Sequence, residues 1–379
     1  MFQIAIQMLM GDKVKYFILI CALSFSTLLM VQQSGIFWGV MRWTASMMRN
    51  SKAPIWVADP GLVKVSDSKP MRDTDLARVR SVHGVEWAMP LYVVPQILKL
   101  YNGKFLNIQL TGVDDSTLLG LPQKLIEGNY EDLWKSDGVI LDAVVVEQIS
   151  HDLDKPIGVG DLIDINDHEL KVVGIVKGDR ALFGSPSVYT TYSRAIEVAP
   201  PTRRHLSYVL VHPKQGENLD VLTKRIEAET NLKAFTEEKL FWSTLLWFTL
   251  NTGIPLSFFT TILLGFIVGI VVSGQTFYSF VYENIGDFGA LKAMGASNGL
   301  LQRMILVQAI TAGFIGYGIG LFLTALFGFL TMTSTKLPFF LSWQTPLITF
   351  ILILFICISS ASIGIRKISK IDPAEVFRE

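Results

Sequence analysis

The side chains from which catalytic and metal sites are usually built stand here in patterns that argue against both. The five histidines (His83, His151, His168, His205 and His212) fall in one polar stretch, at spacings that match no standard metal motif. His205 and His212 are seven apart and would share a face on a helix, enough for a haem or metal site, but Leu206 to Leu210 between them reads as strand. Cys21 and Cys357 sit in apolar runs near opposite ends of the chain, which suggests neither a disulfide framework nor a zinc site. Ser-His-Asp catalysis is not suggested by the spacing of these residues. The only Gly-Lys pair, Gly103-Lys104, is followed by Phe105 and lacks the upstream glycine of a phosphate loop. No catalytic residue, resident metal or directly bound cofactor is expected, and no ATP bound through a Walker motif.

Contact chemistry is better represented. The stretch Glu283-Asn284-Ile285-Gly286-Asp287-Phe288-Gly289-Ala290-Leu291-Lys292-Ala293-Met294-Gly295-Ala296-Ser297 predicts a short helix with Phe288, Leu291, Ala293 and Met294 apolar, stopped at Gly295. It would offer an exposed hydrophobic contact to a partner, although an ordinary interfacial turn has the same composition. Gly265 and Gly269 stand four apart, as do Gly316 and Gly320 with Gly313 one turn earlier. That period lets helix backbones approach closely, and glycine is also simply common in membrane helices, so both readings stand. Phe241, Trp242, Leu245, Leu246 and Trp247 would serve as an entrance for a lipid-like molecule or as an anchor at the membrane-water boundary.

These residues need elements to carry them, and composition says which. Across 379 residues, 50% are hydrophobic and only 17% charged, with 33 Lys plus Arg against 33 Asp plus Glu and a mean hydropathy of +0.41. A disordered chain and a nucleic-acid binder are excluded, and the charge deficit points to a lipid bilayer around part of the molecule. Four stretches are long and apolar enough to cross about 30 Å of hydrocarbon: 16–41, 255–282, 304–332 and 345–365. The first is too long for the apolar region of a signal peptide and reads as a retained anchor. Gly253 and Pro255 separate the second from residues 240–254, read as an interfacial stalk helix. No Asp, Glu, Lys, Arg or His lies within the four cores, which removes support for a proton-driven transporter or ion channel.

Orientation follows from the basic residues. Lys13 and Lys15 precede the first span, Lys292 and Arg303 lie between the second and third, and Arg366, Lys367 and Lys370 follow the fourth. The short loop 333–344 has only Lys336. The segments 1–15, 283–303 and 366–379 are therefore expected in the cytoplasm, with both termini inside, and 42–239 outside. That outer segment predicts an α+β domain. Leu91 to Leu100 and Lys104 to Val113 read as strands joined by a type I′ turn at Asn102-Gly103. Asp73-Thr74-Asp75 can cap a helix to Val82, and Glu217 to Thr230 reads as a second helix. Further strands are expected at Gly138 to Asp142, Asp161 to Ile165, Leu170 to Val176 and Leu206 to His212. The fold class is a membrane protein of four transmembrane α-helices with a large α+β extracytoplasmic domain inserted between helices 1 and 2.

The run Asp287-Phe288-Gly289-Ala290-Leu291-Lys292-Ala293-Met294-Gly295-Ala296-Ser297 resembles the loop after the second span of FtsX/MacB-type ABC transporter permeases, of pattern Glu-Ile-Gly-x-Leu-Arg-Ala-x-Gly-Ala-Ser. The Asp, Phe and Lys variants, with Gln308 following, look closest to the DevC branch. The tail Ile371-Asp372-Pro373-Ala374-Glu375-Val376-Phe377-Arg378 is similar to the family's Pro-x-Glu-Ala-Leu-Arg ending, and the layout of spans is also the family's. In the outer domain only Val172-Val173-Gly174-Ile175 and Gly184 to Tyr192 look familiar.

The resemblance implies that the loop is a coupling helix seated on a separate ABC ATPase, which alone uses ATP and Mg. Phe288, Leu291 and Met294 would be its apolar contacts, Glu283, Asp287 and Lys292 its polar ones, and Gly295 its stop, with Gly289, Ala296 and Ser297 in the same motif. It further implies a homodimer in the inner (cytoplasmic) membrane, a membrane-fusion adaptor with an outer-membrane channel, and export by mechanotransmission. The cargo class is an amphiphile: a lipid, glycolipid, macrolide-like compound or haem. An FtsX-like regulator that passes ATPase motion to an extracytoplasmic hydrolase is the alternative, and the size of the outer domain favours export. A membrane-anchored enzyme has no acid, base and nucleophile pattern to support it.

Overall fold

The structure, a computed structural model, describes residues 13–44, 46–51, 53–100, 102–135, 137–153, 156–178, 185–200, 205–334 and 337–368. The tail motif from Ile371 to Arg378, with Lys370, Lys336 and Gly184, lies outside them. Two compact units form: Met1–Val40 with Gly253–Glu379, and Met41–Thr252. Helix α1 (Lys13–Thr44) opens the chain and α2 (Ser46–Ser51) leads into the second unit.

In that unit β1 (Ile55–Ala58), α3 (Asp73–Arg80) and the first half of β2 (Val85–Lys99) begin a layer that the chain completes only after a long excursion. The excursion comprises β3 (Phe105–Val113), β4 (Leu125–Gly128), β5 (Gly138–Asp142), α4 (Ala143–Leu153), β6 (Leu162–Ile165), β7 (His168–Val176), β8 (Ser187–Thr191) and α5 (Tyr192–Val198). Its pairings run β2 to β3, β8, β5, β7, β6 and back to β2, a closed ring. Alternation aims Leu98, Ile108, Leu110, Ile163, Ile165 and Val172 at one buried core and leaves Ile97, Lys99 and Phe105 outside. Strand β9 (Tyr208–Pro213), α6 (Leu219–Thr230) and β10 (Lys233–Thr236) then complete a β-α-β-β-α-β layer of order β10-β1-β9-β2. Every pairing in that layer is antiparallel, with Ile55 opposite both Thr236 and Val211.

One local expectation needs correction. The hairpin turn is not type I′, which would need positive φ at both central residues. Only Gly103 has it (79°); Gly103 N–H donates to Leu100 O and Leu100 N–H to Lys104 O, giving a three-residue loop that ends on a left-handed glycine. The helix at 73 is capped from inside: Arg72 occupies the cap position, and the Asp75 carboxylate accepts its N–H at 3.1 Å. Strands β1, β4, β8 and β10 and helices α4 and α5 have no counterpart in the sequence reading.

After β3 the chain is pinned by Asp114, 7% exposed, whose Oδ2 accepts from the N–H and hydroxyl of both Ser116 (3.2 and 2.6 Å) and Thr117 (3.0 and 2.9 Å). Burial pushes this carboxyl up, but the four bonds outweigh it and hold it below the ordinary carboxylate value. A folded-state value below the unfolded one stabilises the fold above about pH 4, and the gain is lost as pH falls through the lowered value. Asp114→Ala is therefore expected to cost about 1–3 kcal/mol at pH 7. Urea denaturation should show the difference from wild type shrinking toward pH 3.

The second unit ends with α7 (Glu237–Asn251), capped by Thr236, whose hydroxyl accepts from Lys239 N–H. The first unit resumes with α8 (Ile254–Glu283), α9 (Ile285–Ala293), α10 (Asn298–Ser334) and α11 (Gln344–Ile368). Among the described residues, α1, α8, α10 and α11 are the four helices long and apolar enough to cross a membrane. Their shared core includes Leu19, Leu23, Phe277, Phe280, Ile305, Ala309, Ile353 and Cys357.

Candidate functional site

The polar loop is made by a stop and a restart. Helix α8 ends at Asn284, whose N–H donates to Phe280 O, and α9 begins at once, with Phe288 N–H on Asn284 O. Asp287 in its first turn and Lys292 in its last complement the helix dipole. Ala296 N–H then donates to Leu291 O and Gly295 N–H to Lys292 O, a Schellman stop that needs the left-handed conformation of Gly295 (φ 95°). Ser297 starts α10, its Oγ accepting from Leu300 N–H at 3.3 Å. The motif Gly295-Ala296-Ser297 thus turns the chain between two helices within three residues.

Packing divides the motif in two. Phe288 is fully buried in the helix-bundle core with Phe280, Val281, Leu301 and Met304; Gly289 is buried beside it, and Leu291 and Ala296 pack against the same cluster half-exposed. The expectation that Phe288 is an outward contact is corrected: it faces inward and fastens α9 to the bundle. Met294, past the last turn, is 77% exposed, and Glu283, Asp287, Gly295 and Ser297 are exposed with it. Lys292 is half-exposed, and Glu283 pairs with Lys15 of α1. Phe288→Ala is expected to cost about 3–5 kcal/mol, read as a lower unfolding temperature in detergent.

The spaced glycines sit on helix contacts within the chain. A Cβ at Gly316 would lie 2.6 Å from Leu23 Cβ, and one at Gly320 2.5 Å from Ser24 O and 2.6 Å from Thr27 Cβ, so α10 and α1 touch along this face. Gly265 and Gly269 of α8 lie against Leu29 and Ser26 of α1 (3.1 and 2.7 Å), and Gly313 lies against Cys357 Sγ of α11 (2.6 Å). Sequence spacing missed Gly39, whose Cβ would meet the Pro338 backbone at 2.5 Å, and Gly328, which would meet Phe339 at 2.4 Å.

The aromatic cluster at 241–247 does not form one surface. Helix α7 buries Leu240, Thr244, Leu245 and Phe248 in the α+β unit, and the Thr244 hydroxyl accepts from Val65 N–H. Trp247 carries the Lys64 ammonium 4.1 Å from its ring centroid, and Phe241 packs partly against the domain core. Only Trp242 and Leu246 are exposed, at 51% and 58%. The stalk expectation is corrected accordingly: α7 packs as a helix of the α+β unit because its apolar stripe has a core to enter. The histidine pair lies apart too, with His205 against Tyr92 and His212 stacked on Trp87 and within 3.0 Å of Glu86. Among the described residues no three His, Cys, Asp or Glu are grouped to hold a metal.

Residues 256–373, which include the loop and the last three long helices, match the FtsX-like permease C-terminal family, and residues 16–229 match the MacB-like periplasmic core domain. The chain belongs to the FtsX/MacB-type ABC transporter permeases. As a permease subunit of this kind it implies an ATPase partner, and its inserted α+β unit is extracytoplasmic. An uncharacterised ABC transporter permease of Mycobacterium tuberculosis is 22% identical, over 82% of this chain and 80% of its own. Another, of Methanocaldococcus jannaschii, is 24% identical over 65% of each chain. A Staphylococcus haemolyticus protein named as a hemin transport system permease, HrtB, is 28% identical over 30% of this chain and 31% of its own. Among solved structures, the periplasmic region of MacB from Actinobacillus actinomycetemcomitans is similar with a TM-score of 0.38 and 16% identity, over 54% of this permease and 96% of that chain. The extracellular domain of the transporter YknZ from Gram-positive bacteria gives 0.37 and 13%, over 48% and 99%.

Proposed function

We propose that this permease is the membrane subunit of an exporter that works by mechanotransmission. The observation that carries the reading is the construction of α9: Phe288 and a Schellman stop fix it to the bundle, while Met294, Asp287 and Glu283 stay exposed beside it. A separate ATPase, using ATP and Mg, grips that exposed end in the cytoplasm, and its closure moves the helices as a body. Close glycine contacts make such a bundle stiff, which suits the transfer of displacement to the extracytoplasmic domain. The four charge-free cores fit a mechanism in which cargo does not pass between the helices.

The permease acts as a homodimer in the inner membrane with both termini cytoplasmic, an orientation that the basic residues Lys13, Lys15, Lys292 and Arg303 support. Its cargo is an amphiphile, with a membrane-fusion adaptor and an outer-membrane channel completing the path. The size of the unit Met41–Thr252 favours export over regulation of a hydrolase. Two measurements on the full chain test this. The permease should co-purify with its ATPase as a two-fold complex, and cysteines placed at Asp287 and Ser297 should react only with reagents that reach the cytoplasm. Labelling of either position from outside, or export by the permease without an ATPase, would overturn it.

A further inference from the structure

Along β2, the edge that β9 and β6 share is only partly covered. Strand β9 pairs Val85 to Leu91 and β6 pairs Leu98 and Lys99, while β3 lines the opposite edge from Tyr92 to Lys99. Between β9 and β6, the edge from Tyr92 to Ile97, about 20 Å of strand, has no neighbouring strand among the described residues. Ser207 covers its start: Val93 N–H donates to the Ser207 hydroxyl at 2.9 Å, and that hydroxyl donates to Val93 C=O at 3.1 Å. Peptide groups alternate between the two edges of a strand, so Pro95 and Ile97 face the same way as Val93. The Pro95 carbonyl and the Ile97 N–H are left without a strand partner among the described residues, while the Leu98–Ile165 register turns the Asn166 N–H toward the Ile97 carbonyl. Proline suits that place because it has no N–H to satisfy.

A slot of about 650 Å³ opens there. Val94 and Gln96 border it together with Pro95 and Ile97, so both faces of the strand contribute, as a gap in a row of strands requires and a hollow on one sheet face does not. Exposed Ile97 and Phe105 form an apolar wall. At the β6 end, Asp164 and Asp167, with Glu169 beside them, outnumber Lys99. Asp164 Oδ1 is buried and accepts no hydrogen bond among the described residues.

We propose that this slot receives an extended segment of a partner polypeptide as an added strand on β2. Both existing neighbours on that edge, β9 and β6, run antiparallel to β2, so the guest does too. Its N-terminal end then lies by Ile97, where Asp164 and Asp167 hold a basic side chain, and alternate apolar side chains meet Ile97 and Phe105. The proposal does not rest on the export reading and is tested apart from it.

The probe is a fluorescein-labelled synthetic peptide, Arg-Val-Thr-Val-Thr-Val, titrated with the full-length permease in detergent and followed by anisotropy. Saturable binding is expected, weakened at least about 10-fold by N-methylation of alternate peptide nitrogens and about 10-fold in Asp164→Asn/Asp167→Asn, or about 1.4 kcal/mol each. Moving the arginine to the C-terminal end should weaken it similarly. Three results would overturn the proposal: no saturable binding, equal affinity for the N-methylated peptide, or equal affinity in the double variant with its melting temperature unchanged. Saturation by dodecyltrimethylammonium with no peptide binding would assign the slot to a cationic amphiphile and overturn it as well.

Discussion

Met294→Asp is expected to abolish association with the ATPase while leaving the permease inserted and folded. The methionine is 77% exposed and follows the last turn of α9, so its side chain contributes little to the bundle. A carboxylate there would have to be desolvated in an apolar socket, at a cost of several kcal/mol, enough to reduce affinity by a factor of 100 or more. Co-purification with the ATPase should be lost and the unfolding temperature in detergent unchanged. Leu291→Asp is a weaker tool, because Leu291 also packs against the bundle core and its loss should lower stability too. Unchanged ATPase binding by Met294→Asp would remove the proposed contact.

The second large effect concerns the seam between α1 and α10. Gly316→Leu and Gly320→Leu each drive carbon into α1: the first carbon alone would sit 2.6 Å from Leu23 Cβ or 2.5 Å from the Ser24 carbonyl oxygen. A backbone oxygen cannot swing aside as a flexible side chain can, so the helices must separate. Overpacking of this kind costs about 1–3 kcal/mol or more for each site, and the pair should cost more than either alone but less than the sum, because one separation of the helices relieves both. Gly318, on the same helix, has open space where its Cβ would stand. Gly318→Leu should therefore melt like wild type. If all three variants lose stability alike, contact with α1 does not explain the glycines, since leucine is the better helix former at each site.

The loop shows what a local pattern can and cannot say. The alternation of apolar and polar residues and the stop at Gly295 are local, and a nine-residue helix ended by Gly295 follows from them. Which apolar residue faces the bundle is not local. Phe288 and Met294 are equally apolar in sequence, and only the positions of Phe280, Leu301 and Met304 bury one and leave the other outside. Gly316 and Gly318 differ in the same way, since the one touches α1 and the other open space. In the α+β unit the hairpin of β2 and β3 joins neighbours in sequence and was legible. Strand β1, by contrast, finds its partners at Tyr208–Pro213 and Lys233–Thr236, more than 150 residues away.

The sequence by itself determined that four charge-free stretches cross a membrane, that a large α+β domain lies between the first two, and that a short polar helix links the second and third. Hydropathy and helix stops act over a few residues, so a single chain is enough to read them. The tertiary structure alone decided that Phe288 is buried and Met294 exposed, that α7 belongs to the α+β unit, and that β2 carries a free edge at Pro95 and Ile97. Each of these depends on what lies beside a residue in space, and neighbours brought together across long stretches of chain leave no periodic trace in it.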